Sequence, residues 1–233
     1  MKLTHYGLFS GIGVLISLSI IRYIDFKLAL IFILAITAQT KISSKNESTY
    51  SLISYLSIIP ILVIIFNKCY RTKELLVGAS IMLAVGRIGC YYAGCCSGKI
   101  AHNHSYFNLS YNKNKYIDKD TKVTVYPTII IEIVIQFLIA FIIYKSDYAI
   151  VWFGILNAVL AYFTTIWRKD ERINTLSIPI ASLLLVSLIG YLKCGQIKNY
   201  KLKVQLSWWM FIFVIMMSLI VSNDINVKSF KTN

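Results

Sequence analysis

The sequence predicts an all-α membrane protein, a polytopic bundle of about seven to eight transmembrane helices with a polar loop between spans four and five. Of its 233 residues, 57% are hydrophobic and only 15% are charged, and its mean hydropathy is +0.66. These values are far from those of a soluble globular domain. Apolar runs of membrane-spanning length alternate with short polar segments. Because there is no internal repeat and no second core, we predict a single integral-membrane domain over residues 1–233.

About eight apolar runs fit the length of a transmembrane helix, which is about 20 mostly apolar residues or slightly fewer where the ends snorkel. The second run is short. The first lacks a small-residue cleavage site, so we interpret it as a membrane helix and not as a signal peptide. The last, within residues 205–222, is predicted to be an extra C-terminal membrane helix, either transmembrane or interfacial. In chain order the runs are 6–21, 26–40, 50–66, 75–92, 126–144, 149–167, 176–192 and 206–221.

The formal net charge is +14, and the lysines collect in the short segments between the apolar runs. Lysines in such places anchor helix ends to anionic head groups. Since they form no single basic face, we exclude nucleic acid as a partner.

One connection is long and polar and covers residues 93–125, with a predicted turn at 118–121. A connection of this length is more often functional than a simple linker. The short segments on one side of the bundle hold about ten Lys and Arg residues, and those on the other side hold about eight. This small difference favours the topology in which the N-terminus faces outside. We therefore predict that the N-terminus and the long loop both face outside.

The most unusual stretch is GRIGCYYAGCCSGK at residues 86–99, which places an arginine among glycines at the end of an apolar run. A guanidinium near bilayer depth is costly, so it usually faces a cavity or an anionic partner. Glycines let a ligand or a neighbouring helix approach closely. We predict that Arg87 binds an anionic group; the alternative is that it snorkels to the head groups. The glycines of this candidate site are Gly86, Gly89, Gly94 and Gly98.

A second candidate is Glu132, which is flanked by isoleucines in the run 126–144. An ionised carboxylate in such surroundings needs a partner. Arg87 is the obvious candidate, and Gln136 lies one turn further along the same helix face. The alternative is that Arg87 and Glu132 form a purely structural pair between two helices.

The first span opens with His5 and Tyr6, at the depth of the membrane interface. We include Tyr6 among the candidate catalytic residues and His5 as a weaker candidate. A tyrosine at this depth is often an aromatic anchor, and that alternative stays open.

The chain has five cysteines, three of them within seven positions. This spacing is not typical of a disulfide framework, and it also lacks the C-x-x-C repeat typical of zinc sites. The clustered cysteines can simply pack as small apolar residues, or they can serve a redox or metal protein together with the two histidines that follow. We predict no metal site and no cofactor. The residues concerned are Cys69, Cys90, Cys95, Cys96, Cys194, His102 and His104.

These motifs resemble those of the prolipoprotein diacylglyceryl transferases, membrane enzymes that move a diacylglyceryl group from phosphatidylglycerol to the lipobox cysteine of a bacterial prolipoprotein. The stretch 86–98 is similar to the family's signature, and YPTIIIE at 126–132 is similar to its fifth-span motif. Tyr6-Gly7-Leu8 resembles the start of its first span. The resemblance implies a protein of the bacterial cytoplasmic membrane, with a last run beyond the family's usual seven spans.

The sequence departs from the family pattern at several positions. Cys90 and Cys95 stand where the housekeeping enzyme has Asn and Glu, as in diverged members. Tyr126 and Ile131 replace the His and Tyr of the fifth-span motif. The family's His-Gly-Gly segment, expected near the third span, is absent from residues 48–57. The sixth-span Arg and Glu fall on residues 161 and 165, which are Ala and Thr.

Two functions follow from the resemblance. The first is a diverged transferase, in which Arg87 binds the lipid phosphate and stabilises the negative charge that develops on the leaving glycerol phosphate. Glu132 would orient Arg87, and a thiolate of a prolipoprotein or another thiol partner would be the acceptor. The second is a catalytically silent relative that binds lipid or a lipoprotein partner in a membrane complex; the departures favour it.

Overall fold

The computed structural model of the chain describes residues 4–21, 69, 72–93, 98–99, 109–112, 122–167, 173–197 and 204–230. Within these residues there are six helices and one two-stranded antiparallel sheet. The predicted spans 26–40 and 50–66 lie outside the described residues. The elements are α1 His5–Ile20, α2 Thr72–Ala93, β1 Leu109–Asn112, β2 Lys122–Val125, α3 Thr128–Lys145, α4 Ala149–Trp167, α5 Ile173–Cys194 and α6 Trp208–Phe230.

The six described helices coincide with six of the predicted apolar runs, so the helical character of the membrane bundle is confirmed for this part of the chain. Three are long and apolar enough to cross a membrane, and they cover Thr72–Tyr92, Thr128–Lys145 and Ala149–Trp167. Two shorter apolar helical stretches are α1, His5–Ile20, and the part of α5 from Ile180 to Cys194. The full number of seven to eight spans stays a prediction.

Helix α3 has two faces that differ in chemistry although both are largely apolar. Its outer face exposes large hydrophobic side chains, such as Val134 at 52% and Phe141 at 60%. Its inner face buries Ile139 and Ile143 together with the polar residues of the candidate site. An outward apolar face is expected of a helix whose solvent is lipid, because lipid offers hydrogen bonds to neither side chains nor backbone.

The N-cap residue of helix α1 is Thr4, whose hydroxyl accepts a hydrogen bond from the backbone N–H of Gly7 at 3.1 Å and so caps the first turn. Helix α1 runs antiparallel to α2. A Cβ atom on Gly13 would come within 3.0 Å of the Met82 carbonyl oxygen, so the two backbones are in close contact here. Small residues at such crossings allow membrane helices to approach.

The C-terminal helix α6 packs against α1 through small residues on both helices. A Cβ atom on Gly7 would overlap Ser222 Oγ, and one on Gly11 would overlap Ser218 Oγ. Ser222 Oγ also accepts a hydrogen bond from the backbone N–H of Thr4 at 3.1 Å. Both partners therefore carry small residues four positions apart, the arrangement that brings membrane helices close together.

The long polar loop contains a hairpin that we did not predict from the sequence. Strands β1 and β2 pair antiparallel, with Leu109 opposite Val125 and Asn112 opposite Lys122. The loop also returns to the bundle before the hairpin, since Lys99 N–H donates to the carbonyl of Trp167 at 2.7 Å. The start of the loop is therefore tied to the end of α4.

The bundle has two ends, and a disulfide marks one of them. Cys69 and Cys194 form a disulfide across a sequence separation of 125 residues. From the spacing of the cysteines we expected no disulfide framework. That expectation was wrong for Cys69 and Cys194, because it rested on the three clustered cysteines. Lys73 and Asp147 form an ion pair of 3.4 Å at the same end. We call this end of the bundle the disulfide end. The opposite end contains the start of α1, the start of α3 and the end of α2, and we call it the site end.

Candidate functional site

Arg87 and Glu132 meet inside the site end. Arg87 lies near the C-terminus of α2, and Glu132 lies in the second turn of α3. Because these two helices are antiparallel neighbours, the two positions fall at the same depth. Arg87 Nε lies 2.6 Å from Glu132 Oε2, and the side chains are only 10% and 5% exposed. The contact anticipated from the sequence is present in the structure.

The pair is neutral as a whole, which is what allows two ionisable groups to stay buried here. Removing each charge from water costs several kcal/mol, and the close contact offsets that cost. Cys90, one turn beyond Arg87, is buried, and its Sγ atom accepts a hydrogen bond of 3.9 Å from Nη1 of the guanidinium group. This cysteine therefore forms part of the surroundings of Arg87.

Tyr6 reaches the same end from α1. It packs against a small buried cluster of Cys90, Val125 and Ile129. The approach depends on Gly89, because a Cβ atom there would come within 3.1 Å of the Cα and the carbonyl oxygen of Tyr6. A contact this short with backbone could be relieved only by moving α1 away from α2.

Aromatic rings surround this part of the site end. The ring of His5 stacks on Tyr92 with centroids 5.7 Å apart, and Phe9 stacks on Tyr92 at 5.4 Å. His5 and Tyr92 are both exposed. His5 therefore lies at the rim of the site end, where the sequence placed it at interface depth.

The glycines of the signature stretch differ in their surroundings. Apart from its two chain neighbours and the backbone of α2, no atom of the described residues lies within 4 Å of the place where a Cβ on Gly86 would stand, so this part of the structure leaves open space beside Gly86. Gly98, in contrast, packs directly on the backbone of Tyr126, and the Lys99 carbonyl accepts the N–H of Tyr126 at 3.1 Å. Gly94, Cys95 and Cys96 lie outside the described residues, as do His102 and His104.

A row of buried polar side chains extends from the ion pair along α3. Thr128, Glu132 and Gln136 succeed each other at intervals of four residues and all are buried. The Gln136 Nε2 group donates to Asn157 Oδ1 of α4 at 2.8 Å. Asn157 was not predicted from the sequence, although a single amide in the apolar run 149–167 is a signal that could have pointed to it.

Chemically, the arrangement holds a guanidinium group in a fixed orientation at the site end. A guanidinium group is a planar fork of N–H donors, and this geometry suits phosphate oxygens. Among the described residues no group of three or more His, Cys, Asp or Glu side chains could hold a metal ion.

Residues 61–220 match the family described as prolipoprotein diacylglyceryl transferase. The match covers more than half of the chain and includes Arg87 and Glu132, whereas Tyr6 precedes it. It also extends over most of the last apolar run. No curated protein and no solved structure matches the chain. On the extent of the family match, the chain belongs to the prolipoprotein diacylglyceryl transferase family.

Proposed function

We propose that the chain is a diverged diacylglyceryl transferase that moves a diacylglyceryl group from a phosphatidylglycerol-like lipid to a cysteine thiol of a prolipoprotein. The family is a transferase family of membrane proteins. The observation that carries the proposal is the buried contact of 2.6 Å between Arg87 and Glu132, which fixes a cation at the site end.

In the proposed reaction Arg87 binds the phosphate of the lipid. The acceptor thiolate attacks the glyceryl carbon that carries the phosphate, so a carbon–sulfur bond forms and a carbon–oxygen bond breaks. The electron pair of the broken bond leaves with glycerol phosphate, where negative charge increases. A guanidinium group already in position stabilises that charge without reorganising, which is the usual source of electrostatic catalysis.

Other residues have supporting roles in this proposal. Glu132 orients Arg87 through Nε, and Tyr6 closes the site from α1. The open space beside Gly86 admits the lipid, and the closely packed Gly89 and Gly98 let the surrounding backbone approach. We also propose that the N-terminus and the site end face the outside of the bacterial cytoplasmic membrane, where prolipoproteins carry their lipobox.

A second candidate is a catalytically silent relative that binds lipid or a lipoprotein partner. It is favoured by α4, which contains no charged residue at all. Its Thr165, at the place where the family resemblance implies a glutamate, has its hydroxyl donating to the Ala161 carbonyl of its own helix at 2.7 Å. This side chain is engaged within α4.

The test compares Arg87→Gln with the wild type in membranes that contain labelled phosphatidylglycerol and a lipobox peptide. We expect transfer to fall by about 100-fold or more, as when one preorganised donor to developing charge is lost. The matched control is Lys145→Gln, which removes an exposed positive charge at the disulfide end and should leave transfer unchanged.

Equal transfer by the Arg87→Gln variant and the wild type would contradict the assigned role. A wild type that co-purifies with phosphatidylglycerol and transfers to no acceptor would favour the silent relative instead.

A further inference from the structure

Gln136 lies one turn deeper than Glu132 on the buried face of α3, which is about 6 Å along the helix axis. Its side chain is only 1% exposed. It is therefore a polar side chain that continues the site from the ion pair towards the middle of the bundle.

The hydrogen bonds around Gln136 determine which way its amide group points. Asn157 Nδ2 donates to the carbonyl of Phe153 at 2.8 Å, and a carbonyl can only accept. Asn157 Oδ1 must therefore face Gln136, so Gln136 presents Nε2 to it. The Oε1 atom of Gln136 consequently points away from Asn157.

This Oε1 atom is buried and has no hydrogen-bond partner in the part of the chain that the structure describes. Several buried hydroxyl groups in the described residues share that property, but a hydroxyl can rotate and donate to a carbonyl one turn back in its own helix. An amide oxygen can only accept, and the N–H groups of a helix interior are already used. Gln136 therefore needs a donor from outside its own helix.

The surroundings indicate what kind of donor would suit this position. An ammonium group would bring a buried charge, and the carboxylate of Glu132, one turn away on the same helix, is already balanced by Arg87. A trimethylammonium group carries no N–H donor. A neutral hydroxyl group supplies a donor without a charge.

We propose that Gln136, held in orientation by Asn157, is a specificity-determining residue that accepts a hydrogen bond from a hydroxyl group of the lipid head group. The inference rests on the proposed function, because it places the phosphate of the same lipid on Arg87. Gln136 then selects lipids with a hydroxylated head group over lipids of equal charge that lack the hydroxyl groups.

The experiment measures binding, so that it does not depend on transfer. Wild type and variants are loaded with an equal mixture of phosphatidylglycerol and phosphatidylpropanol, two phosphodiesters of the same charge, and the bound lipids are quantified by mass spectrometry. We expect the wild type to prefer phosphatidylglycerol by about 10- to 100-fold, since a buried acceptor left without a partner is costly. In Gln136→Met, and to a lesser degree in Asn157→Leu, the ratio should fall towards one.

The control is Ile139→Val, a volume change on the same buried face of α3, which should leave the ratio unchanged. An unaltered preference in Gln136→Met overturns the inference. So does a proportional loss of both lipids, because that is what a purely structural link between α3 and α4 would produce. A wild type that shows the expected ratio but transfers no lipid would count against the proposed function alone.

Discussion

Arg87 Nε and Glu132 Oε2 are 2.6 Å apart, in a place where each side chain is at least nine-tenths buried. Removing only one partner leaves a buried, uncompensated charge, which is costly, whereas replacing both by apolar side chains is often neutral. A comparison of the single variant with the double variant can therefore distinguish a structural role of the pair from a functional one.

We therefore expect Glu132→Leu alone to lower the free energy of unfolding by about 3–5 kcal/mol. The double variant Arg87→Met with Glu132→Leu should regain most of that stability and still bind no phosphatidylglycerol. Unfolding in detergent and the amount of co-purified lipid are the two measurements. Lipid binding by the stable double variant would show that the pair is only structural.

Gly86 and Gly89 lie three residues apart in α2 and should respond differently to alanine. The new methyl group of Gly86→Ala meets no other element of the described structure within 4 Å, and alanine has the higher helix propensity, so the free energy of unfolding should rise by up to about 1 kcal/mol. Gly89→Ala pushes on the backbone of Tyr6 and should lower it by about 1–3 kcal/mol. Chemical denaturation of the two variants in parallel provides the comparison, and equal changes would contradict the close contact of α1 with α2.

The disulfide between Cys69 and Cys194 lies at the end opposite to Arg87 and Glu132, and this bears on the proposed orientation. If the site end faces outside, the disulfide end faces the cytoplasm, where thiols are kept reduced. We expect both cysteines to be alkylated by a membrane-permeant maleimide in intact cells, and the bond to form only after cell lysis in air. Cys69→Ser is the control for labelling of Cys194. A bond already present in intact cells would reverse the orientation.

The contact of α6 with α1 can be tested by adding a methyl group to α1 and then removing the side-chain atoms of α6 that it would meet. Gly11→Ala places a methyl group on Ser218 Oγ and should lower the free energy of unfolding by about 1–3 kcal/mol. Ser218→Gly in the same chain removes the obstructing atoms and should restore part of the loss. Ile12→Leu, on the partly exposed face of α1, is the neutral control. A double variant no more stable than Gly11→Ala would argue against this packing.

Much of the described fold could be predicted, because the length and composition of an apolar run are enough to indicate a membrane helix. The run predicted at 149–167 coincides with α4, and the other described helices differ from their runs by a few residues at the ends, except that α6 extends further to Phe230. Arg87 and Glu132 were identifiable for the same reason, since charged residues in such runs are expensive and need partners. Their contact was the simplest pairing available.

The packing partners were not predictable in this way. The helices are apolar on nearly all sides, so hydrophobic periodicity does not reveal which face turns inward. The link from Gln136 to Asn157, the disulfide from Cys69 to Cys194 and the docking of α6 on α1 join residues distant in the chain. The sequence by itself determined that the chain forms membrane helices and that Arg87 and Glu132 need partners. Only the tertiary structure decided which face of each helix turns inward and which helices are neighbours. The reason is that, in a lipid environment, close packing and buried hydrogen bonds select the interface between helices.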